Sequence, residues 1–245
     1  MTLPQQDCGI ARSLIKKVLF PFIYPPNCLT CDNFCHDPEL MLCGSCVDLL
    51  ELLDPLQRCP RCFFLIDPLK TMGCRVCRKL GHPFSGLASA FDFTGPPALL
   101  VGQLNYQRRR FLAKSLAACL ILQFDRLNWP LPDVVMSAPV PVIETIFWGA
   151  GANELIAREV AGFLGRPYVG GLKFAGGFHL KNTTGIRDKT ILLIEDAIKT
   201  GESLFACGRA LLEGYPKRMY ALAVCLNPSL YSEINEHGAA DAEHS

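Results

Sequence analysis

The stretch from Lys189 to Leu204, K-T-I-L-L-I-E-D-A-I-K-T-G-E-S-L, concentrates groups able to hold an anion and a polyhydroxyl together. Glu195 and Asp196 follow four apolar residues, Ile191 to Ile194, and Lys199, Thr200, Gly201 and Ser203 come directly after. Carboxylates accept hydrogen bonds from sugar hydroxyls or hold a divalent cation. An ammonium, hydroxyls and the N–H groups of a glycine turn suit phosphate, above all at a helix start, where unpaired N–H groups and the dipole favour negative charge. Glu195, Asp196, Lys199, Thr200, Gly201 and Ser203 are therefore candidate substrate-binding residues for a phosphorylated sugar. An acid at a strand end is common in α/β proteins; the acid pair, the T-G step and a second hydroxyl in one turn are what distinguish this joint. Lys199 reads either as a phosphate contact or as a solvated lysine, and Glu202 in the same turn opposes an anion.

A second set of residues reads as metal chemistry. Of 13 cysteines, eight stand in four C-x-x-C pairs: Cys28/Cys31, Cys43/Cys46, Cys59/Cys62 and Cys74/Cys77. The second four repeat the first at an offset of 31 residues. A C-x-x-C bend puts two thiolates on one side, and two bends complete a tetrahedron for structural zinc. Segments this short bury little core, so metal binding would supply their folding energy. The expected arrangement is two zinc sites of four cysteines each, in sequence order, with cross-braced pairing as the alternative. Redox dithiols and idle buried thiols are the competing readings. Cys35 and His36 read as bystanders, and Cys8, Cys119, Cys207 and Cys225 as buried thiols.

These residues need elements to position them. Ile191 to Ile194 reads as a strand buried on both faces, and Leu204 to Tyr215 as the helix after the turn. Gly86–Phe93, Asp133–Val140 and Arg218–Leu226 read as further strands, with weak ones at Tyr168–Phe174 and Phe178–Leu180. Pro96–Asn105, Arg108–Asp125 and Asn153–Leu164 read as helices, the last with Leu155, Ile156, Val160 and Phe163 inward. Val47–Leu56 reads as a helix between the cysteine sets. Strands alternating with helices predict an α/β fold with a parallel sheet, whose ligands bind at the carboxyl ends of the strands. The expected organisation is an amphipathic helix within 1–27 (Ile10 to Phe22), a double four-cysteine zinc module over 28–80, the α/β domain over 81–235 and a disordered tail over 236–245.

Composition bounds the partners. The 245 residues are 50% hydrophobic, enough for a substantial core, and 24 basic against 23 acidic residues give a net charge of +1. Bulk charge therefore makes no case for nucleic acid or membrane binding, and any basic patch must be local. Two clusters qualify: Lys70, Arg75, Arg78 and Lys79, and the run Arg108, Arg109, Arg110, either of which also reads as a solvated face. With no secretory pattern at the start and no apolar run of membrane-spanning length, a cytoplasmic protein without stable membrane insertion is expected.

The stretch I-L-L-I-E-D-A-I-K-T-G-E-S-L resembles the diphosphate-sugar signature of type I phosphoribosyltransferases. The order of pieces resembles the ComF-type competence proteins: F-P-F-I-Y-P-P-N-C-L-T-C at 20–31, the later C-x-x-C pairs, L-N-Y-Q-R-R-R-F-L-A at 104–113, A-P-V-P at 138–141, then that stretch. The resemblance implies a type I phosphoribosyltransferase-like parallel sheet flanked by helices, preceded by a small cysteine-rich zinc module. It implies binding of phosphoribosyl diphosphate (PRPP) or a related phosphosugar with magnesium, Glu195 and Asp196 taking the ribose hydroxyls and the turn the 5′-phosphate. It also implies work in DNA uptake, with single-stranded DNA or DNA-uptake proteins as partners. A non-catalytic zinc-containing DNA-uptake or DNA-processing factor is the alternative to an enzyme, and no residue is singled out as catalytic. The chain departs from the pattern in three places. Trp148 stands where an arginine is expected, with no basic residue from Val142 to Ala157. The polar hood is shortened to Tyr168–Leu180. Lys199 replaces a threonine or an acid.

Overall fold

The computed structural model describes residues 27–35, 41–66, 74, 77, 81–139, 151–181 and 185–228. The expected helix at Ile10 to Phe22, the tail, Lys70, Arg75, Arg78 and Lys79, and the Val142 to Ala150 part of the basic-poor loop lie outside them. The chain forms two compact units, Met1–Glu51 and Leu52–Ser245.

In the first unit, Asn27 and Phe34 bridge antiparallel, and Asp32 N–H closes on the Cys28 carbonyl at 3.0 Å, making a tight knuckle at the first C-x-x-C. Helix α1 (Gly44–Asp48) grows from the second pair: the Cys43 carbonyl accepts from both Cys46 and Val47 N–H at 3.0 Å. The predicted helix over Val47–Leu56 is thus displaced. The C-x-x-C bend itself is the first helical turn, and Pro55 disfavours helical geometry in the residue before it, so only a 3-10 turn (Pro55–Gln57) forms there.

The second unit is built on a four-stranded parallel sheet of order β1-β6-β5-β2. Its elements are β1 (Gly86–Asp92), α2 (Gly95–Tyr106), α3 (Leu112–Arg126), β2 (Val134–Ser137), α4 (Ala152–Leu164), β3 (Leu172–Phe174), β4 (Phe178–Leu180), β5 (Thr190–Ile198), α5 (Glu202–Leu212) and β6 (Arg218–Leu226). The two central strands carry the core. Ile191, Leu193 and Ile194 of β5 are fully buried, as are Ala223, Val224 and Cys225 of β6. Each buried aliphatic side chain of Leu or Ile size contributes roughly 1.5–3 kcal/mol, so the apolar run dictates the sheet's centre. Asp133 fixes the register of β2 on β5, exchanging hydrogen bonds with the Thr190 backbone at 2.8 Å in both directions. Helix α4 packs on β2, β5 and α3, and α3 on β1 and β6, while α5 meets the antiparallel β3–β4 hairpin. This parallel, helix-flanked sheet agrees with the α/β architecture that alternating strands and helices predict.

Some details differ from expectation. Helix α3 starts at Leu112, and Arg108, Arg109 and Arg110 form the connection before it. Phe163 of α4 is 47% exposed rather than inward, while Ile156 and Val160 are buried. Strand β5 runs on to Ile198, so the acid pair lies within it rather than after it.

The segment Leu52–Ile66 is stitched to the sheet. Leu53 N–H donates to Ala90 O and Leu87 N–H to Arg61 O, both at 2.9 Å, and Gln123 Nε2 donates to Leu53 O at 2.9 Å. The third C-x-x-C knuckle is thereby held against β1.

Candidate functional site

The carboxyl end of β5 and the start of α5 are joined by a turn that only glycine completes. Gly201 is the N-cap of α5 with φ 76°, in the left-handed region, and a Cβ there would sit 2.9 Å from the Phe205 ring. No side chain caps α5 from that position. The Thr200 hydroxyl reaches Glu202 N–H only at 3.5 Å, and the first helical bond is Phe205 N–H to Gly201 O at 2.8 Å. The first-turn N–H groups and the positive end of the helix dipole are therefore available to an anion.

A cavity of about 710 Å³ opens on this turn. Glu195, Asp196, Lys199, Thr200, Gly201 and Ser203 all line it, whereas Glu202 does not. Glu202 thus sits in the first helical turn, where an acid suits the dipole, without facing the cavity. The far wall comes from α2 and its continuation (Asn105, Tyr106, Arg108, Arg110) and from the start of α4 (Gly151, Ala152, Leu155). The Lys199 ammonium lies 5.7 Å from the centroid of the Phe93 ring, and the Lys199 carbonyl accepts from Asn227 Nδ2 at 3.4 Å.

The two acids are not equivalent. Consecutive strand positions project to opposite faces. Glu195 is 7% exposed, and its Oε2 has no hydrogen-bond partner among the described residues. Burial first, and the charge of Asp196 second, push its carboxyl up to about 8, so it is predominantly protonated at neutral pH. Asp196 is also raised by burial, against hydrogen bonds from Asn105 and the Ala197 N–H and the charge of Lys199. Its Oδ1 accepts from Ala197 N–H at 2.7 Å, and its other oxygen accepts from Asn105 Nδ2.

Two asparagines carry more than local pattern indicates. Spacing places Asn105 only at a helix end, yet it holds the Asp196 carboxylate. Asn153 is buried in the first turn of α4: its Oδ1 accepts from Asp196 N–H at 2.7 Å and its Nδ2 donates to Ala138 O at 3.2 Å, tying the acid to the end of β2. A polar residue opening a helical pattern reads as a cap; only the tertiary fold shows that this one faces the sheet. Arg108 and Arg110, expected to contact DNA or solvent, line the same cavity as Lys199.

The cysteines gather in sequence order: Cys28, Cys31, Cys43 and Cys46 in one group, Cys59, Cys62, Cys74 and Cys77 in the other, all ligand atoms of a group within 4.8 Å of one another. Cross-braced pairing is not what the chain adopts. Sγ–Sγ separations of 3.6 Å (Cys31–Cys43, Cys59–Cys77) and 3.5 Å (Cys62–Cys74) are far beyond a disulfide and near the roughly 3.8 Å edge of a tetrahedron with Zn–S bonds of about 2.3 Å. Burial works to raise the Cys28 thiol, but the Thr30 hydroxyl and backbone N–H groups overcome it and hold it at about 5. Both quartets thus fit a tetrahedral thiophilic ion, and zinc there would supply structure. Cys35 is buried beside the first quartet without joining it, and its thiol is raised by burial and neighbouring thiolates. Magnesium differs: among the described residues no carboxylate cluster of three converges, so those residues alone offer no cage for it.

No family model matches the chain. It is similar to the DNA utilization protein YhgH of Salmonella typhi, 33% identical over 130 residues, 51% of this chain and 55% of that protein. The namesake of Salmonella typhimurium is 32% identical over the same shares. The chain thus spans about half the length of the curated relatives it matches. Among solved structures it is similar to Leishmania donovani UMP synthase (13% identity, TM-score 0.37, 57% of this chain and 27% of that one). A purine phosphoribosyltransferase of Pyrococcus horikoshii matches at 13% identity and TM-score 0.34, over 47% and 83%. At such scores neither structure decides a role for any residue here. No helix among the described residues is long and apolar enough to cross a membrane.

Proposed function

We propose that the second unit binds a phosphorylated pentose, PRPP or a close relative, at the carboxyl end of β5. The observation that carries this reading is that all six residues singled out by type and spacing line one cavity. In it, the N–H groups at the start of α5, with the Thr200 and Ser203 hydroxyls, receive the 5′-phosphate, and Lys199 adds a cation beside them. Asp196, positioned by Asn105 and Asn153, accepts from a ribose hydroxyl. Glu195, protonated and buried behind it, shapes the floor and keeps a second negative charge out of the cavity. Magnesium enters with the phosphosugar's own oxygens rather than on a protein cage. Binding and orientation are the whole of what these residues do; phosphoribosyl transfer needs an acceptor, and no residue here is assigned to activating one.

The test is calorimetric titration of zinc-loaded protein with PRPP and magnesium. Wild type releases heat with saturation, Thr200→Ala binds roughly tenfold more weakly through the loss of a hydrogen bond to a charged group, and Asp196→Asn also weakens binding. No heat from the wild type contradicts the proposal.

The likeness to proteins named for DNA utilization favours a second reading, in which the same chain handles DNA and the zinc quartets serve as its structural support. Fluorescence anisotropy with a single-stranded oligonucleotide at low salt tests it: salt-sensitive binding is expected, and its absence removes this reading.

A further inference from the structure

The two cysteine knuckles repeat in structure as well as in spacing. Asn27 bridges Phe34 and, 31 residues on, Arg58 bridges Leu65, each pair antiparallel. Cys28 N–H donates to Asn33 O and Cys59 N–H to Phe64 O, both at 2.8 Å. Asp32 N–H closes on Cys28 O at 3.0 Å, and Phe63 N–H on Cys59 O at 2.8 Å. Asp32 and Phe63 take the same left-handed turn, at φ 58° and φ 60°. Residues 35 and 66 therefore hold equivalent places, each directly after the bridge that closes its knuckle.

At that shared place the knuckles differ. The second has Ile66, half-buried, and the first has Cys35, 2% exposed. Cys35 forms a buried cluster with Cys28 and Cys46, and Cys43 packs against it. It thus shares one packed cluster with three of the four thiols of its quartet. The fourth, Cys31, is exposed, whereas its counterpart Cys62 is 1% exposed. The first quartet therefore combines a solvent-facing ligand with a sheltered extra thiol, and the second has neither at the equivalent positions. An exposed thiolate is the one open to electrophiles. Packing alone is met by an aliphatic side chain at this place, as Ile66 shows; a thiol adds a group that can ligate zinc.

We infer that Cys35 is a reserve ligand of the first quartet's metal site, taking the coordination position of Cys31 when an electrophile caps that sulfur. In the exchange the bond from the Cys31 sulfur to the metal breaks and one from the Cys35 sulfur forms. The Cys35 thiol gives its proton to solvent as it coordinates, so the site keeps four thiolates and an unchanged charge. The electron pair that Cys31 offered to the metal goes into its new bond to the electrophile, and nothing is oxidised or reduced. The knuckle thereby keeps its metal, and the metal's contribution to folding, while its most accessible ligand is out of use.

The test counts zinc by native mass spectrometry on the full chain. Wild type and Cys35→Ser are expected to hold two ions, Cys31→Ser still two, and Cys31→Ser/Cys35→Ser one. Cys62→Ser, with isoleucine rather than cysteine at position 66, is expected to hold one. With cobalt in place of zinc, the thiolate-to-metal absorption of Cys31→Ser is expected to match wild type and that of the double variant to fall. Alkylation by iodoacetamide, with the label at Cys31 located by peptide mapping, gives a measurement that does not depend on how the variants fold. Wild type labelled there is expected to retain two ions, and Cys35→Ser labelled there only one. A Cys31→Ser chain, or a labelled wild type, that holds one ion overturns the inference and leaves Cys35 as a packing residue. A double variant that still holds two ions also overturns it, because three thiolates would then suffice. Wild type without zinc would overturn the metal reading of the quartets and the inference with it.

Discussion

Gly201 sets the geometry on which the candidate site depends. At φ 76°, with the Phe205 ring 2.9 Å from any added Cβ, substitution by alanine meets both left-handed strain and a clash. Gly201→Ala is expected to cost about 1–2 kcal/mol from the backbone alone and to abolish PRPP binding in calorimetry; unchanged affinity would separate the turn from the ligand. Glu195 gives a pH signature. Its folded-state carboxyl is raised from 4.5 to about 8, so the folded chain keeps a proton that the unfolded chain releases. The stability from this group is complete below pH 4.5 and is lost as pH rises through about 8. Glu195→Gln removes that loss and is expected to melt higher than wild type above pH 8, the advantage vanishing towards pH 5. An advantage that grows on acidification would mean that Glu195 is ionised in the fold. At this scale the six candidate residues, two near the end of β5 and four just after it, are readable because their types and close spacing are local features of the sequence. Asn105 and Asn153 are not, because a hydrogen bond to Asp196 across 91 or 43 residues leaves no mark in local spacing.

Elements explain why the rest of the sequence is partly legible. Strand β6 (Arg218–Leu226) and β4 (Phe178–Leu180) form where apolar runs predict them, because a strand buried on both faces, as β6 is, needs little besides length and hydrophobicity. Helix starts are harder: three arginines read as the opening turn of α3, but the left-handed Arg108 makes them a connection. Helix α5 packs closely onto the segment ahead of β1, where a Cβ on Gly208 would lie 2.4 Å from Pro83 Cγ and 2.7 Å from Phe84 Cζ. Gly208→Ala is therefore expected to destabilise by about 1–3 kcal/mol through overpacking, read as a lower midpoint in chemical denaturation; a neutral effect would mean that α5 can shift outward without cost. The cysteine knuckles make a separate test. Two quartets imply two metal ions per chain by mass spectrometry or elemental analysis. Cys62→Ser is expected to remove one of them and lower thermal stability, because that knuckle is hydrogen-bonded to β1 through Arg61. Cys119→Ser, in α3 and outside both quartets, should leave the metal count at two.

For the molecule as a whole, the second unit joins a metal-fit knuckle, a parallel sheet and a charged cavity in a single compact body. A net charge of +1 hides a local concentration of cations that only the fold assembles, from residues 108, 110 and 199. In the proposed function this cavity takes the 5′-phosphate of a phosphosugar on the turn between β5 and α5. Its most direct test is a crystal of the zinc-loaded protein soaked with PRPP and magnesium. A phosphate is expected within hydrogen-bond distance of the backbone N–H groups at 201–203, with a ribose hydroxyl on Asp196. An empty turn at saturating PRPP, or sugar density elsewhere on the protein, would contradict it.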